Sequence, residues 1–196
     1  MRKLILGLAL AGATLSSHAA DDTSEVPAGD VVRAQAAIKE LGGALRTALQ
    51  ARIQSEGAPA AVDFCHDQAP RIAAEVAAKH QVSIGRTALR LRNPANAPLA
   101  WQEDVLAEFA RAAAGGAAVQ DLHRRRVVDT PQGPRVRYAQ AIRTEGPCLA
   151  CHGLSVAEPI RTAIARHYPE DRATGFAEGD LRGMFSVEFP ASTDTR

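Results

Sequence analysis

The chain has 196 residues, and its 23 lysines and arginines against 22 aspartates and glutamates leave a formal net charge of +1. Such a balance excludes the strongly basic surface that binding to nucleic acid or anionic lipid requires. The length suits a single domain with its own hydrophobic core, and no internal repeat or low-complexity run interrupts the sequence.

The N-terminal segment, residues 1–19, has the pattern of a secretory signal peptide. Arg2 and Lys3 form a basic start, and an apolar run follows as far as Leu15. Ser17 and Ala19 then supply small residues for cleavage. The apolar run is shorter than the roughly 20 residues that span a bilayer, so we predict removal near Ala19. We therefore expect a periplasmic protein with no membrane span in the mature chain, whose net charge falls to −1.

Residues 20–30 are predicted to be a polar linker, and residues 31–196 a single domain. A long helix is predicted from Val31 to Ser55, with Asp30 as its N-cap. Its apolar stripe at helical spacing consists of Ile38, Leu41, Leu45, Leu49 and Ile53. The segment "GAPAAVD" then predicts a break. A shorter helix follows in "FCHDQAPRIAAEVAAKHQ", with Pro70 early in it or just before its regular part.

A strand-like pattern begins at Val82, in "VSIGRTALRLR", and runs into the turn "NPANAP". An amphipathic helix is predicted from Leu99 to Ala113, ended by Gly115 and Gly116. The turn "PQGP" between two β-rich arms predicts a hairpin, and a helix over Val156 to His167 precedes the last strand. One face of that strand is predicted to carry Leu181, Phe185, Val187 and Phe189. These elements indicate a domain of mixed helices and strands, an α/β domain in the broad sense, in which the strands form an antiparallel sheet (α+β).

The segment "EGPCLACHGL", residues 145–154, contains two of the three cysteines. Tetrahedral zinc would need a second pair of Cys or His ligands at short spacing, and none lies nearby. A thioredoxin-like dithiol would follow a strand and open a helix, which "RTEGP" before the motif does not suit. C-x-x-C-H is the signature of covalent haem c attachment, in which Cys148 and Cys151 bond to the vinyl groups and His152 ligates the iron. The motif occurs once, so we predict one haem c.

The chain resembles a family of exported c-type haem domains with a PAS-like fold, once catalogued as a domain of unknown function. Such domains occur alone or in front of sensor-kinase modules. The resemblance covers roughly Val31 to Phe189 and rests on five blocks in order. These are "CHDQAPRIA", "RTALRLRNPANAPLAWQEDVL", "YAQAIRTEGPCLACHG", "YPEDRATGFAEGDLRG" and the closing strand.

The resemblance implies a long N-terminal helix, an antiparallel sheet flanked by helices, and a haem iron held between Cys65 and His152. Cys65 is also the cysteine left without a partner in an exported chain, where free thiols are prone to oxidation. An inert buried Cys65, or His66 as the sixth ligand instead, are the alternatives. Met184 is disfavoured as a ligand because it lies on the opposite strand face from the apolar residues. Because the chain ends at Arg196, kinase-type signalling by the chain itself is not expected.

Five further residues are candidates for a haem pocket. Arg90, Arg92 and Asn96 could hold the propionates through charge-assisted hydrogen bonds, or form an ordinary strand end and turn. Trp101 is a candidate for the pocket wall or for the core. Tyr168 lies in one of the resembling blocks, and its side-chain chemistry predicts no specific role.

No Ser-His-Asp set, carboxylate pair or phosphate-binding loop is recognisable, so the predicted chemistry rests on the haem and no enzyme activity is expected. The preferred interpretation is a sensor-like module whose iron ligation responds to redox state or to gases such as CO or NO. A one-electron carrier for a respiratory or photosynthetic partner is the alternative. A small peroxidase or nitric-oxide-handling enzyme is a third possibility. The redox or signalling partner and the oligomeric state are left open by the sequence.

Overall fold

The structure is a computed structural model and describes residues 25–191. The predicted signal peptide and residues 20–24 of the predicted linker lie outside these residues. The rest of the linker belongs to the domain, because Val26 packs in the core and the first helix begins at Ala28. Within the described part, no helix combines the length and apolar character needed to cross a membrane.

Two long helices form an antiparallel hairpin. Helix α1 spans Ala28–Glu56 and helix α2 spans Ala58–His80, with Gly57 at φ +84° as the single residue between them. Only glycine adopts this backbone conformation at low cost, and it allows the sharp reversal. Near the far end of the hairpin, Glu40 of α1 accepts hydrogen bonds from the Lys79 and His80 side chains of α2. These contacts fasten the two helices to each other.

Three predictions for this hairpin are wrong. Asp30 is not the N-cap, because α1 begins at Ala28 and places Asp30 in its first turn, where an acidic group suits the helix dipole. The predicted break over residues 57–63 is confined to Gly57, because Pro59 fits the first turn of a helix. Pro70 lies well inside α2 and removes one backbone hydrogen bond from its middle. Packing between the two helices outweighs that local cost.

The rest of the chain builds a four-stranded antiparallel sheet with short helices around it. The strands are β1 (Ser83–Thr87), β2 (His123–Val128), β3 (Arg135–Arg143) and β4 (Leu181–Pro190), in the spatial order β1-β4-β3-β2. The remaining helices are α3 (Ala100–Ala114), α4 (Leu149–His152) and α5 (Glu158–His167). The predicted hairpin is formed by β2 and β3, and α3 lies within one residue of its predicted bounds.

Each face of the sheet is covered by a different helix, as period-two alternation requires. The α1 face buries Val136, Tyr138, Val187 and Phe189 against Ala34, Ala37 and Ile38. The α3 face buries Ala139, Ala141 and Met184 against Leu106 and Phe109. Met184 is therefore a core residue, fully buried beneath α3.

Two details of the strands differ from the predictions. The pairing of β3 with β4 shifts between Ile142 and Arg143, and this bulge turns Leu181 to the α3 face rather than that of Phe185. In addition, β1 ends at Thr87 instead of continuing through "ALRLR". Residues 88–93 leave the sheet and contact the segment around residue 172, where the Arg172 N–H donates to the Leu91 carbonyl oxygen at 2.8 Å.

The predicted fold class is confirmed: helices and an antiparallel four-stranded sheet form an α+β domain behind a long N-terminal helix.

Candidate functional site

The C-x-x-C-H motif forms one compact helical turn. A 3₁₀ turn over Gly146–Cys148 leads directly into α4, which contains Cys151 and His152. Helical spacing places Cys148, Cys151 and His152 on one side of this turn. All three side chains are half-buried, and neither cysteine forms a disulfide. Within residues 25–191 no cluster of three or more His, Cys, Asp and Glu side chains is arranged to hold a bare metal ion.

Gly153 closes the turn, and no other residue fits there. A Cβ atom at this position would lie 2.5 Å from the carbonyl oxygen of Leu149. The same carbonyl accepts the Gly153 N–H at 2.9 Å, so the backbone approach is part of the turn itself. The glycine after the motif is therefore a steric requirement of placing His152.

The loop of residues 171–176 holds His152 in one orientation. The ring Nδ1 donates to the Ala173 carbonyl oxygen at 2.6 Å, and the Phe176 N–H donates to the His152 carbonyl oxygen at 3.0 Å. The Phe176 ring meets the imidazole edge-on, with centroids 6.5 Å apart. A proton on Nδ1 leaves Nε2 as the lone-pair nitrogen, which is the state that a metal-binding histidine requires.

The electrostatic surroundings keep His152 neutral. Burial is the main cause that lowers its pKa to about 3, and the positive charges of Arg182 and Arg92 act in the same direction. The hydrogen bond to Ala173 and the charge of Asp171 oppose the shift without cancelling it. The imidazole therefore carries no charge across the physiological pH range.

Arg92 connects three separate blocks of the chain. Its guanidinium pairs with both carboxylate oxygens of Asp171 at 3.1 Å and donates to the Cys151 carbonyl oxygen at 2.6 Å. Asp171 in turn accepts the N–H of Ala173, the residue whose carbonyl holds His152. The Arg92 and Asp171 side chains are 13% and 10% exposed. The structure thus gives Arg92 a role in positioning the motif, which differs from the predicted role in holding propionates.

Arg90 is also engaged with the loop rather than free. It donates to the carbonyl oxygens of Arg172 and Thr174, and its guanidinium lies 4.3 Å from the centroid of the Phe176 ring. Arg182 lies 5.2 Å from the same centroid and donates to the Arg90 carbonyl oxygen. Phe176 therefore has two cations over its ring and His152 at its edge.

Cys65 faces this site from α2. Its thiol is half-buried, and burial is the main cause that raises its pKa. The charges of Arg86 and Arg92 lower that pKa, and a charge on Cys151 raises it. Cys65 is therefore within electrostatic range of the second motif cysteine and of Arg92. The structure thus places Cys65 near the C-x-x-C-H turn, and its role as an iron ligand stays a prediction.

His66 points in another direction, since neighbouring helical residues differ by about 100° around the axis. Its exposed ring stacks on His167 of α5 with centroids 4.5 Å apart, and Nδ1 lies 2.9 Å from the Asp67 carboxylate. His167 is held in turn by Asp63 at 2.7 Å. These contacts favour Cys65 over His66 as the residue of α2 that faces the motif.

Tyr168 belongs to the site, and Arg86 is a member that the sequence analysis missed. Tyr168 is 7% exposed and packs in one cluster with Val62 and Cys151. Burial is the main cause that raises the pKa of Tyr168, and a charge on Cys65 adds to the shift. Desolvation is the main cause that lowers the pKa of Arg86, and charges on Cys65 and Tyr168 oppose the shift. These charges place Arg86 beside the two residues, although it also lines a cavity beside β1. The alternation of β1 was the available signal, because it puts Arg86 on the face of Ile84.

Trp101 and Asn96 lie away from the motif, on the α3 side of the sheet. Trp101 packs against the core beneath α3, with the Arg137 guanidinium 5.1 Å from its ring centroid. Asn96 is exposed, and its carbonyl oxygen accepts the Thr87 hydroxyl at 2.8 Å. Both residues line a separate cavity beside β1. The structure does not bring them together with Cys148 and His152.

The fold and site together define the class: an α+β domain whose C-x-x-C-H turn is held by the loop of residues 171–176 and by Arg92. The chain belongs to the Tll0287-like family, whose model matches residues 23–190. It is similar in structure to the cyanobacterial haem protein Tll0287, with a TM-score of 0.59 and 26% sequence identity over 87% of this chain and 100% of that one. No curated protein matches the sequence.

Proposed function

We propose that the chain is a periplasmic protein with one covalent haem c, bound through Cys148 and Cys151, whose iron His152 and Cys65 would hold. The observation that carries this proposal is the orientation of His152. Its Nδ1 is committed to the Ala173 carbonyl at 2.6 Å, so Nε2 is available to a metal beside two adjacent thiols. Membership of a family that includes a haem protein supports the same conclusion.

The charge of the site suits a haem group. Desolvation is the main cause that lowers the pKa of Arg182 to about 10, and the positive charges of Arg92 and Arg86 act in the same direction. Asp171 neutralises Arg92, whereas no carboxylate among residues 25–191 pairs with Arg86 or Arg182. A haem propionate would supply negative charge at Arg86, whose guanidinium has no hydrogen-bond partner in that range.

Bound haem would supply an iron centre that exchanges one electron and takes CO or NO when a position is open. The residues of the chain decide whether a position opens. His152 is fixed by its backbone hydrogen bonds and stays neutral. The Cys65 thiol, by contrast, has its pKa raised by burial, so its sulfur favours the protonated form whenever no metal holds the thiolate. Cys65 would therefore be the weaker of the two residues that hold the iron, and its release on reduction would suit a sensor-like module.

Attachment is tested first, on protein from a host that matures c-type cytochromes. Mass spectrometry of the denatured chain should show one haem added to a chain that begins at about residue 20. Replacing both motif cysteines, Cys148→Ala with Cys151→Ala, should abolish the adduct. Haem that extracts into acidified organic solvent from the unaltered protein would contradict covalent attachment.

Ligation and role are tested by optical and EPR spectra of the ferric and ferrous protein, with and without CO. Cys65→Ala should keep the haem attached but change the low-spin ferric spectrum, whereas His66→Ala, the neighbouring control, should leave it unchanged. The opposite result would assign the ligand to His66.

The same spectra test the role of the protein. A ferrous protein that stays six-coordinate and does not bind CO would indicate an electron carrier. Rapid turnover of peroxide or nitric oxide would indicate an enzyme.

A further inference from the structure

A second concave site lies next to the motif, between α3 and the start of β4. It is a cavity of about 250 Å³ that none of the three motif residues lines. Leu106 and Ala110 of α3 contribute apolar surface, and Leu89 from the loop after β1 adds more. Phe176 and Arg182 form the wall on the side of His152.

That wall is shared between the cavity and His152. The Phe176 ring lines the cavity with one part of its surface and meets the imidazole edge-on, 6.5 Å between centroids. The Phe176 N–H also donates to the carbonyl oxygen of His152. A molecule that displaces Phe176 would therefore move both the ring and the backbone that hold His152.

The charge at the cavity is mainly positive. Arg90 and Arg182 both line it, and neither pairs with a carboxylate in the part of the chain that the structure describes. Asp180 is the one acidic lining residue in that part, and its Oδ2 already accepts the Ala177 N–H at 2.7 Å. Two guanidinium groups beside apolar walls are suited to a carboxylate attached to an apolar body.

We propose that this cavity binds a small monocarboxylate with an aromatic or branched apolar body, and that its binding alters the ligation of His152 through Phe176. The volume sets the size of the ligand. A cavity of about 150 Å³ holds benzene, whereas drug-sized ligands occupy about 300 Å³ or more, so one ring with a short acid arm fits. Binding itself needs no haem, and only its coupling to the iron rests on the proposed function.

The probe is 3-phenylpropionate, titrated into the holoprotein by calorimetry and followed in parallel by the haem spectrum. Saturable binding and a shift of the ferric absorption bands are expected. Arg182→Gln should weaken the affinity at least about tenfold, the worth of one charge-assisted hydrogen bond. The neutral amide of the same acid should bind correspondingly less well. Affinity that is equal for acid and amide overturns the assignment to a carboxylate.

A cavity-filling variant separates this site from general surface binding. Ala110→Leu should abolish binding, whereas Ala114→Leu, the same change at an exposed position of α3, should preserve it. Equal binding to both variants overturns the location.

Phenylalanine tests the ligand class, because it carries an added ammonium group. Arg90 and Arg182 repel this group and, among the described lining residues, only Asp180 attracts it, so phenylalanine should bind more weakly than 3-phenylpropionate. Tighter binding overturns the ligand class. A calorimetric signal without any change in the haem spectrum overturns the coupling to His152. A preparation without haem would contradict the proposed function, yet calorimetry would still test the cavity.

Discussion

Arg92 and Asp171 form a two-pronged ion pair that joins the loop after β1 to the loop that orients His152. Both contacts are 3.1 Å long, and both side chains are nearly buried. Arg92 also reaches the Cys151 carbonyl oxygen. One charge pair thus determines how three segments, distant in sequence, meet beside the motif.

Removing one partner of this pair should therefore be costly. Asp171→Asn leaves the Arg92 charge nearly buried and without its partner, so we expect a loss of about 3 kcal/mol in the free energy of unfolding. Denaturant titration of the holoprotein measures it. The control is Arg46→Ala, which removes an exposed pair with Glu145 and should cost less than about 1 kcal/mol. Equal losses in the two variants would contradict the positioning role of Arg92.

Glycine at position 153 should be indispensable for a well-formed motif. Gly153→Ala puts a Cβ atom 2.5 Å from the Leu149 carbonyl oxygen, so the turn must shift and carry His152 with it. We expect reduced haem incorporation, measured per chain by absorption, and an altered ferric spectrum. Gly146→Ala, in the same motif turn but with nothing within 4 Å of its new Cβ, is the matched control. Normal haem content and spectrum in Gly153→Ala would show that the turn tolerates the displacement.

The stability of the haem-free fold should fall in acid because of His152. Its pKa is about 3 in the folded chain and near 6.5 in the unfolded chain, so the unfolded state binds the proton more readily between these values. The contribution is fully present above about pH 6.5 and is lost as the pH falls toward 3, at up to about 1.4 kcal/mol per pH unit. Denaturant titrations of the Cys148→Ala, Cys151→Ala variant from pH 7 to pH 4 measure the slope. Adding His152→Gln should flatten it, and an undiminished slope would assign the effect to other groups.

Arg86 should raise the reduction potential of the iron, because a positive charge favours uptake of an electron. Arg86→Gln is expected to lower the midpoint potential by up to about 60 mV, equivalent to about tenfold in a one-electron equilibrium. Arg86→Lys should restore part of the difference. Arg125→Gln, an exposed arginine of the outer strand β2, serves as the control and should change little. A potential that responds equally to both glutamine variants would place Arg86 outside the site.

The sequence predicts the elements better than it predicts their ends. Helix α3 and the β2–β3 hairpin follow from local patterns of apolar residues and turns. The full length of α2 does not, because Pro59 and Pro70 suggest a break that packing against α1 overrides. The bulge that turns Leu181 to the other face depends on the pairing of β4 with β3, which no single strand encodes.

For the site, the residues with distinctive side chains were recognisable and their partners were not. The spacing of Cys148, Cys151 and His152 is visible in the sequence, and the family resemblance points to Cys65. The group that orients His152 is the backbone carbonyl of Ala173, which any residue could provide. The sequence makes Arg92 a candidate for a haem pocket, but its pairing with Asp171 depends on tertiary structure.

Cys65 lies in helix α2 of the hairpin, whereas His152 lies in the short helix α4, 87 residues further along the chain. If both bind the iron, the chain from residue 65 to residue 152 becomes a closed loop. A cross-link over a loop of about 100 residues removes up to about 4.7 kcal/mol of chain entropy from the unfolded state. Detachment of Cys65 on reduction would open that loop, so the ferric protein should resist unfolding more strongly than the ferrous protein. A single electron would then change how firmly α1 and α2 are tied to the sheet.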